Sequence, residues 1–135
     1  MSKQAAVALI VGDYESVTVG DASVVSGGVG SWITGGYHCT LYGDYESTVV
    51  GDYMSRLIGA DRSTVMGGEY CLVIGGVGAK VSGDKGSILQ LMFHADHSTG
   101  IVTAYVGQRL PNGTYIEDCE LYRLNDQRQF EKVED

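Results

Sequence analysis

Glycine returns about every eighth residue over most of the chain, and this spacing constrains the fold more than any other feature. From Gly12 the octads read GDYESVTV, GDASVVS, GGVGSWIT, GGYHCTLY, GDYESTVV, GDYMSRLI, GADRSTVM, GGEYCLVI, GGVGAKVS and GDKGSILQ. Position one is glycine in all ten: Gly12, Gly20, Gly27, Gly35, Gly43, Gly51, Gly59, Gly67, Gly75 and Gly83. Position five is small in all ten: Ser16, Ser23, Ser31, Cys39, Ser47, Ser55, Ser63, Cys71, Ala79 and Ser87. Position seven is aliphatic in nine, from Val25 and Ile33 to Val81 and Leu89, with Thr18 the exception. The second octad reads one residue short, a deletion assigned to its turn half.

Positions five and seven lie two apart, so on a strand both point to one side, inward. Glycine followed by Gly, Asp or Ala reads as a corner at positive φ. One octad cannot bury its apolar side alone, so octads must stack and pair their backbones. Two octads make a flattened coil of 16 residues, and the ten give about five coils, ~24 Å long at the strand spacing. The expected fold is an all-β, single-stranded β-solenoid capped by a small C-terminal β-meander. Residues 1–11 read as a starting half-coil with Ala8 and Ile10 inward, 12–90 as the solenoid, and 91–135 as the cap. In the cap the octad gives way to β-rich runs broken at Ser98–Gly100, Pro111–Gly113 and Asn125–Asp126. The cap is expected to cover the open end of the solenoid or to fold back along one face.

Composition narrows the function. The formal net charge is −8, which disfavours nucleic acid and acidic membrane as direct partners and suits a basic protein surface. Residues 12–90 carry nine carboxylates and four basic side chains, too dilute around the coil to imitate duplex DNA along its length. No run of 18 apolar residues exists, and AAVALIV at 5–11 is too short for a signal peptide, so a cytoplasmic location is expected. The three cysteines include no CxxC pair; Cys39 and Cys71 read as inward core residues two coils apart, beyond disulfide reach. His94, Asp96 and His97 form an HxDH cluster without a distant third ligand. Nucleotide-binding and hydrolase fingerprints are absent, and no cysteine has an evident histidine partner. No enzyme, metal or cofactor is expected.

Two surfaces stand out. Asp13, Tyr14, Glu15, Tyr37, Asp44, Tyr45, Glu46, Asp52 and Tyr53 line the corners as an acidic, aromatic edge suited to a basic partner, because Tyr offers contact area at low entropy cost. Tyr37 and Tyr53 are expected one rung apart and in contact. The second surface is apolar: Val17, Val19, Trp32, Val50 and Met66 are expected outside on one face, and Val24, Tyr42, Ile58, Leu72, Ile74 and Ile88, with Arg56, on the other. Contiguous apolar surface marks an interface, so Trp32, Tyr42, Val50, Ile58, Met66, Leu72 and Ile74 are the candidate homodimer contacts.

On GDYES at 12–16 and 43–47, GDYMS at 51–55 and GGYHC at 35–39, the doubled octad resembles the 16-residue repeats of bacterial ice-nucleation proteins. The resemblance covers residues 12–90. The chain also resembles small phage and bacterial proteins that carry a few such repeats before a β-rich tail. Together with its size and acidity, this implies a non-enzymatic inhibitor of a host defence complex, of the anti-CRISPR type, acting by steric occlusion. The alternative it implies is a structural or ice-interacting module of a particle or adhesin. Against ice binding, the expected outward pairs Val17/Val19, Trp32/Thr34, Thr48/Val50, Thr64/Met66 and Lys80/Ser82 contain no TxT.

Overall fold

The computed structural model describes residues 8–133; the part of the starting half-coil before Ala8 lies outside the described residues. Alternate half-coils build two sheets. Sheet I holds β1 (Ala8–Val11), β3 (Val24–Gly27), β5 (Thr40–Gly43), β7 (Arg56–Gly59), β9 (Leu72–Gly75), β11 (Ile88–Ala95) and β12 (Ser98–Tyr105), in that order. Sheet II runs from β2 (Ser16–Thr18) through β4 (Trp32–Thr34), β6 (Thr48–Val50), β8 (Thr64–Met66) and β10 (Lys80–Ser82). It ends on β13 (Tyr122–Leu124) and β14 (Phe130–Lys132). The chain is therefore an all-β solenoid of about five turns. Among the described residues no helix is long and apolar enough to cross a membrane.

The spacing is more regular than the octads suggest. Every parallel pairing joins residues 16 apart, from Ala8 with Val24 in sheet I and Ser16 with Trp32 in sheet II onward. No residue is deleted. The first two octads instead begin one residue earlier, with Val11 and Val19 in the place of the corner glycine. Val19 shows this directly: its N–H donates to Thr34 C=O at 2.8 Å, as Gly35 N–H does to Val50 C=O at 2.8 Å and Gly51 N–H to Met66 C=O at 3.0 Å. Gly12 and Gly20 are thus second-position glycines, like Gly28 and Gly36.

This shift corrects four expectations. Val17, not Thr18, points inward in β2 and packs half-buried against the core. Ser16 faces out and is exposed. Val19 is a buried corner residue and not part of an outer face. In β1 the inward residues are Leu9 and Val11, since Leu9 pairs with buried Val25, whereas Ala8 and Ile10 face out and Ile10 is 86% exposed. The inward column at position seven is then aliphatic without exception. From Val25 to Leu89 its side chains are at most 1% exposed. Each contributes about 1.5–3 kcal/mol of burial.

The corner also differs from its expected form. The first-position glycines do not supply the positive φ. They are glycine because a Cβ there would strike the inward side chains of their own octad: at Gly67 it would lie 2.8 Å from both Cys71 Cβ and Val73 Cγ2, and at Gly83 it would lie 2.7 Å from Ser87 Cβ. The left-handed residue is the fourth of every octad: Tyr14, Ala22, Gly30, His38, Glu46, Met54, Arg62, Tyr70, Gly78 and Gly86, all with φ between 55° and 80°. From Tyr14 to Tyr70 each of these N–H groups donates to the position-three carbonyl of the next coil, at 2.8–3.0 Å. A bond to the neighbouring coil thus holds a conformation that costs about 1–2 kcal/mol per non-glycine residue.

The tail caps the C-terminal end and lies on neither face. β11 runs on past the coil and pairs antiparallel with β12 over eight residues, while β13 pairs antiparallel with β10 and with β14. Leu91, Ala104, Leu110, Ile116, Tyr122 and Phe130 bury themselves over the end of the core. The Tyr122 hydroxyl is tied in by the Glu117 N–H at 2.8 Å. Both sheets are thereby continued edge to edge by antiparallel strands, which removes the template of an open parallel edge at that end.

Candidate protein-binding edge

Consecutive octads turn at opposite edges, so the acidic and aromatic residues read from the sequence divide between two corners. Corner I, leading from sheet I to sheet II, comprises residues 12–15, 28–31, 44–47, 60–63 and 76–79. Corner II, leading back, comprises 20–23, 36–39, 52–55, 68–71 and 84–87. Asp13, Tyr14, Glu15, Asp44, Tyr45 and Glu46 fall on corner I. Tyr37, Asp52 and Tyr53 fall on corner II.

On corner II the side chains converge. Tyr37 and Tyr53 are one rung apart with ring centroids 6.0 Å apart and planes inclined at 68°. Two residues that the sequence reading passed over extend this contact: His38 lies 6.0 Å from Tyr53 at 88°, and Tyr70 lies 5.9 Å from it at 82°. These edge-to-face pairs form a ladder over three coils. Tyr37 and Tyr70 remain about half exposed. Beside the ladder Tyr37, Tyr53, Asp52, Glu69 and Asp84 line an open hollow of about 450 Å³. Carboxylates and ring faces meet there. That combination attracts a cation by charge and by the ring quadrupole.

Several of the acids also have work in the backbone. Asp52 and Asp84 each accept the N–H of the following residue, at 2.8 and 2.7 Å, as Asp44 does on corner I at 2.7 Å. At position three, Asp13, Asp21 and Asp61 each accept a bond of 2.9 Å from the N–H 16 residues on, at Val29, Tyr37 and Val77. The space each fills explains a glycine of the next coil, at Gly28, Gly36 and Gly76, where a Cβ would meet the same carboxylate oxygen. On corner I, Tyr14 and Tyr45 lack a continuous ladder. Tyr14 lies over Gly30, whose added Cβ would be 2.5 Å from the ring.

Beneath the ladder, corner II is stitched from coil to coil. The inward Cys39, Ser55, Cys71 and Ser87 donate to the carbonyls of Gly20, Gly36, Asp52 and Gly68, each 19 residues earlier, at 3.2, 3.1, 3.1 and 2.8 Å. Ser55 and Ser87 Oγ also accept the N–H groups of Cys39 and Cys71, at 3.1 and 3.0 Å. Both inward cysteines are buried, free thiols in the serine column, as expected. Burial first, with the Asp52 charge adding to it, pushes the Cys71 thiol above its ordinary range.

At the C-terminal end of this edge the tail adds Asp118 and Cys119, the Cys119 N–H donating to Gly83 C=O at 2.8 Å. Ligand atoms of Asp84, Asp118 and Cys119 lie within 4.8 Å of one another, the one such grouping among the described residues. The exposed His94, Asp96 and His97 form no such grouping. Partial desolvation, then the charges of Asp84, Asp118 and Glu120, raise the Cys119 thiol above its ordinary range.

The distribution of acids around the solenoid is uneven in a useful way. Corner I carries Asp13, Glu15, Asp44, Glu46 and Asp61, corner II carries Asp21, Asp52, Glu69 and Asp84, and the other acids belong to the tail. Among the described residues no carboxylate projects from either flat face of the coils, and Arg56 on sheet I and Lys80 on sheet II are the only charges there. No protein-family model, curated protein or solved structure matches the chain.

Proposed function

We propose that the chain is a non-enzymatic protein-binding module that receives basic side chains of a partner surface on corner II. The observation that carries this reading is the hollow where the Tyr37–Tyr53–Tyr70 ladder meets Asp52, Glu69 and Asp84. It presents rigid aromatic area and negative charge on an underlying edge bonded from coil to coil. An arginine side chain suits it best, since its planar cation stacks on Tyr and forks onto carboxylate.

The test is fluorescence anisotropy of a labelled oligo-arginine peptide titrated with the protein. Tyr53→Ala should weaken binding by roughly tenfold, the scale of an aromatic hot spot, and Asp52→Asn with Glu69→Gln should flatten its salt dependence. Asp44→Lys with Glu46→Lys, on corner I, should weaken it less. Equal losses from both corners would reduce the attraction to net charge and sink the assignment to corner II. The narrower form of the proposal is an inhibitor of the anti-CRISPR type, which covers a nucleic-acid-binding surface of a host defence complex. It requires that duplex DNA and this protein compete for that surface.

One observation favours a second reading as a structural or ice-interacting module. With the register corrected, sheet II presents Ser16, Thr18, Thr34, Thr48 and Thr64 outward. An ice-recrystallisation assay discriminates, and activity at micromolar protein would place this reading first.

A further inference from the structure

The outer face of sheet I is the more apolar of the two flat faces. Its outward side chains include Val24, Tyr42, Ile58, Leu72, Ile74 and Ile88, and β12 continues them with Ile101 and Tyr105. Val24, Ile88, Ile101 and Tyr105 are 44–59% exposed. The tail, which had the length to cover such a face, extends the sheet edgewise and leaves it open. Sheet II at the same positions carries Ser16, Thr18, Thr34, Thr48, Thr64 and Ser82, interrupted by Trp32, Val50, Met66 and Lys80. Repeat geometry does not require the difference, because outward residues at positions six and eight do not touch the core.

We infer that sheet I is the docking face for a second copy of this chain, packed face to face. Charge selects this occupant. A copy with a net charge of −8 meets its twin only where carboxylates are absent, which among the described residues holds on both flat faces, and of the two this one is the more apolar. Its one charge, Arg56, opens β7 beside corner II, where its stem has the reach to carry the guanidinium to the acidic rim. A basic partner, in contrast, finds its charges on the corners. The area sets the strength: seven strands span ~30 Å and four residues ~13 Å, so a pair buries on the order of 1,000 Å² in total. That is near the lower limit for a specific interface, and the dimer is accordingly concentration-dependent.

Sedimentation velocity over a range of protein concentrations tests this. The wild type should dimerise with a Kd of roughly micromolar order, and added salt should tighten the dimer by screening the acidic rims. Ile58→Glu and Ile74→Glu should each leave a monomer with an unchanged far-UV spectrum, whereas Thr64→Glu on sheet II should dimerise as before. If the glutamates disturb folding, the double variant Ile58→Thr/Ile74→Thr, which gives sheet I the residue type sheet II already carries, should weaken the dimer at least tenfold. A monomer at all concentrations overturns the proposal. So does a dimer indifferent to Ile58 and Ile74, or one loosened by salt. None of these outcomes bears on the oligo-arginine test, which reads corner II alone.

Discussion

Corners I and II are turns of the same octad, yet most of their turns are closed by different bonds. On corner I the position-five N–H groups of Ser31, Ser47, Ser63 and Ala79 turn back to Gly28, Asp44, Ala60 and Gly76 C=O at 3.1–3.2 Å, so each turn closes on itself. Ser63 Oγ bonds within its own turn, and Ser31 and Ser47 Oγ are buried without a protein partner. On corner II the corresponding groups of Cys39 and Cys71 reach the next coil through Ser55 and Ser87, and only in the last coil does Ser87 N–H turn back to Asp84 C=O at 3.1 Å as on corner I. The backbone path is common to both corners, but coil-to-coil side-chain bonding is concentrated on one. That corner also bears the aromatic ladder, so the stiffer edge is the one that presents the candidate site.

The largest expected effect sets the two columns of hydroxyls against each other. Ser55→Ala with Ser87→Ala strands the buried Cys39 and Cys71 N–H groups, while the Gly36 and Gly68 carbonyls keep the Asp52 and Asp84 N–H groups, and should cost about 2–5 kcal/mol in urea unfolding. Ser31→Ala with Ser47→Ala removes partnerless hydroxyls and should fall within about 0.5 kcal/mol of wild type or above it. Equal losses would break the comparison. Next come two glycines at positive φ, Gly86 on corner II and Gly78 on corner I. Alanine strains both by about 1–2 kcal/mol. Only at Gly86 must it also displace an aromatic ring, that of Tyr70; at Gly78 the nearest atom is Arg62 Cγ at 3.5 Å. Thermal melts should therefore rank Gly86→Ala below Gly78→Ala by several degrees.

A smaller effect of opposite sign is expected at Glu46→Gly on corner I, where relief of a left-handed side chain should stabilise by about 0.5–1 kcal/mol. Tyr70→Gly gains the same relief and loses its contact with Tyr53, so its net change should be near zero. The smallest effect is alkaline. The folded Cys71 thiol titrates above its ordinary range. Its contribution is therefore complete below the unfolded thiol pKa and fades as pH rises through the folded value. Cys71→Ser should remove that part of the alkaline fall in melting temperature, and Cys119→Ser should leave it in place.

The sequence made the inward half of this molecule plain and the outward half only partly so. Positions five and seven were legible because core packing admits few residue types there. The phase of the first two octads was not, since glycine stands at both position one and position two, and Val11 and Val19 hide the true starts. The left-handed fourth position was invisible for a related reason: a bond to the next coil fixes it, so Tyr, His, Glu, Met and Arg all serve. Tyr37 and Tyr53 were found from their spacing. His38 and Tyr70 lie one position later in their octads, and only the three-dimensional ladder brings them into line. The division of the acidic residues between two edges follows from counting alternate octads, whereas the hollow beside Asp84 requires side-chain positions.

The indifference of the fourth position to residue type has a consequence for how such a molecule changes. Its neighbour at position three is equally permissive, holding Asp, Val, Tyr, Glu or Lys. A pair of adjacent, outward residues thus recurs along each edge with a smaller vote in folding than the inward column, the coil-to-coil bonds of Asp13, Asp21 and Asp61 being its largest share. A lineage carrying this scaffold can rewrite those letters one coil at a time, trading one partner for another, while the core beneath keeps its grammar.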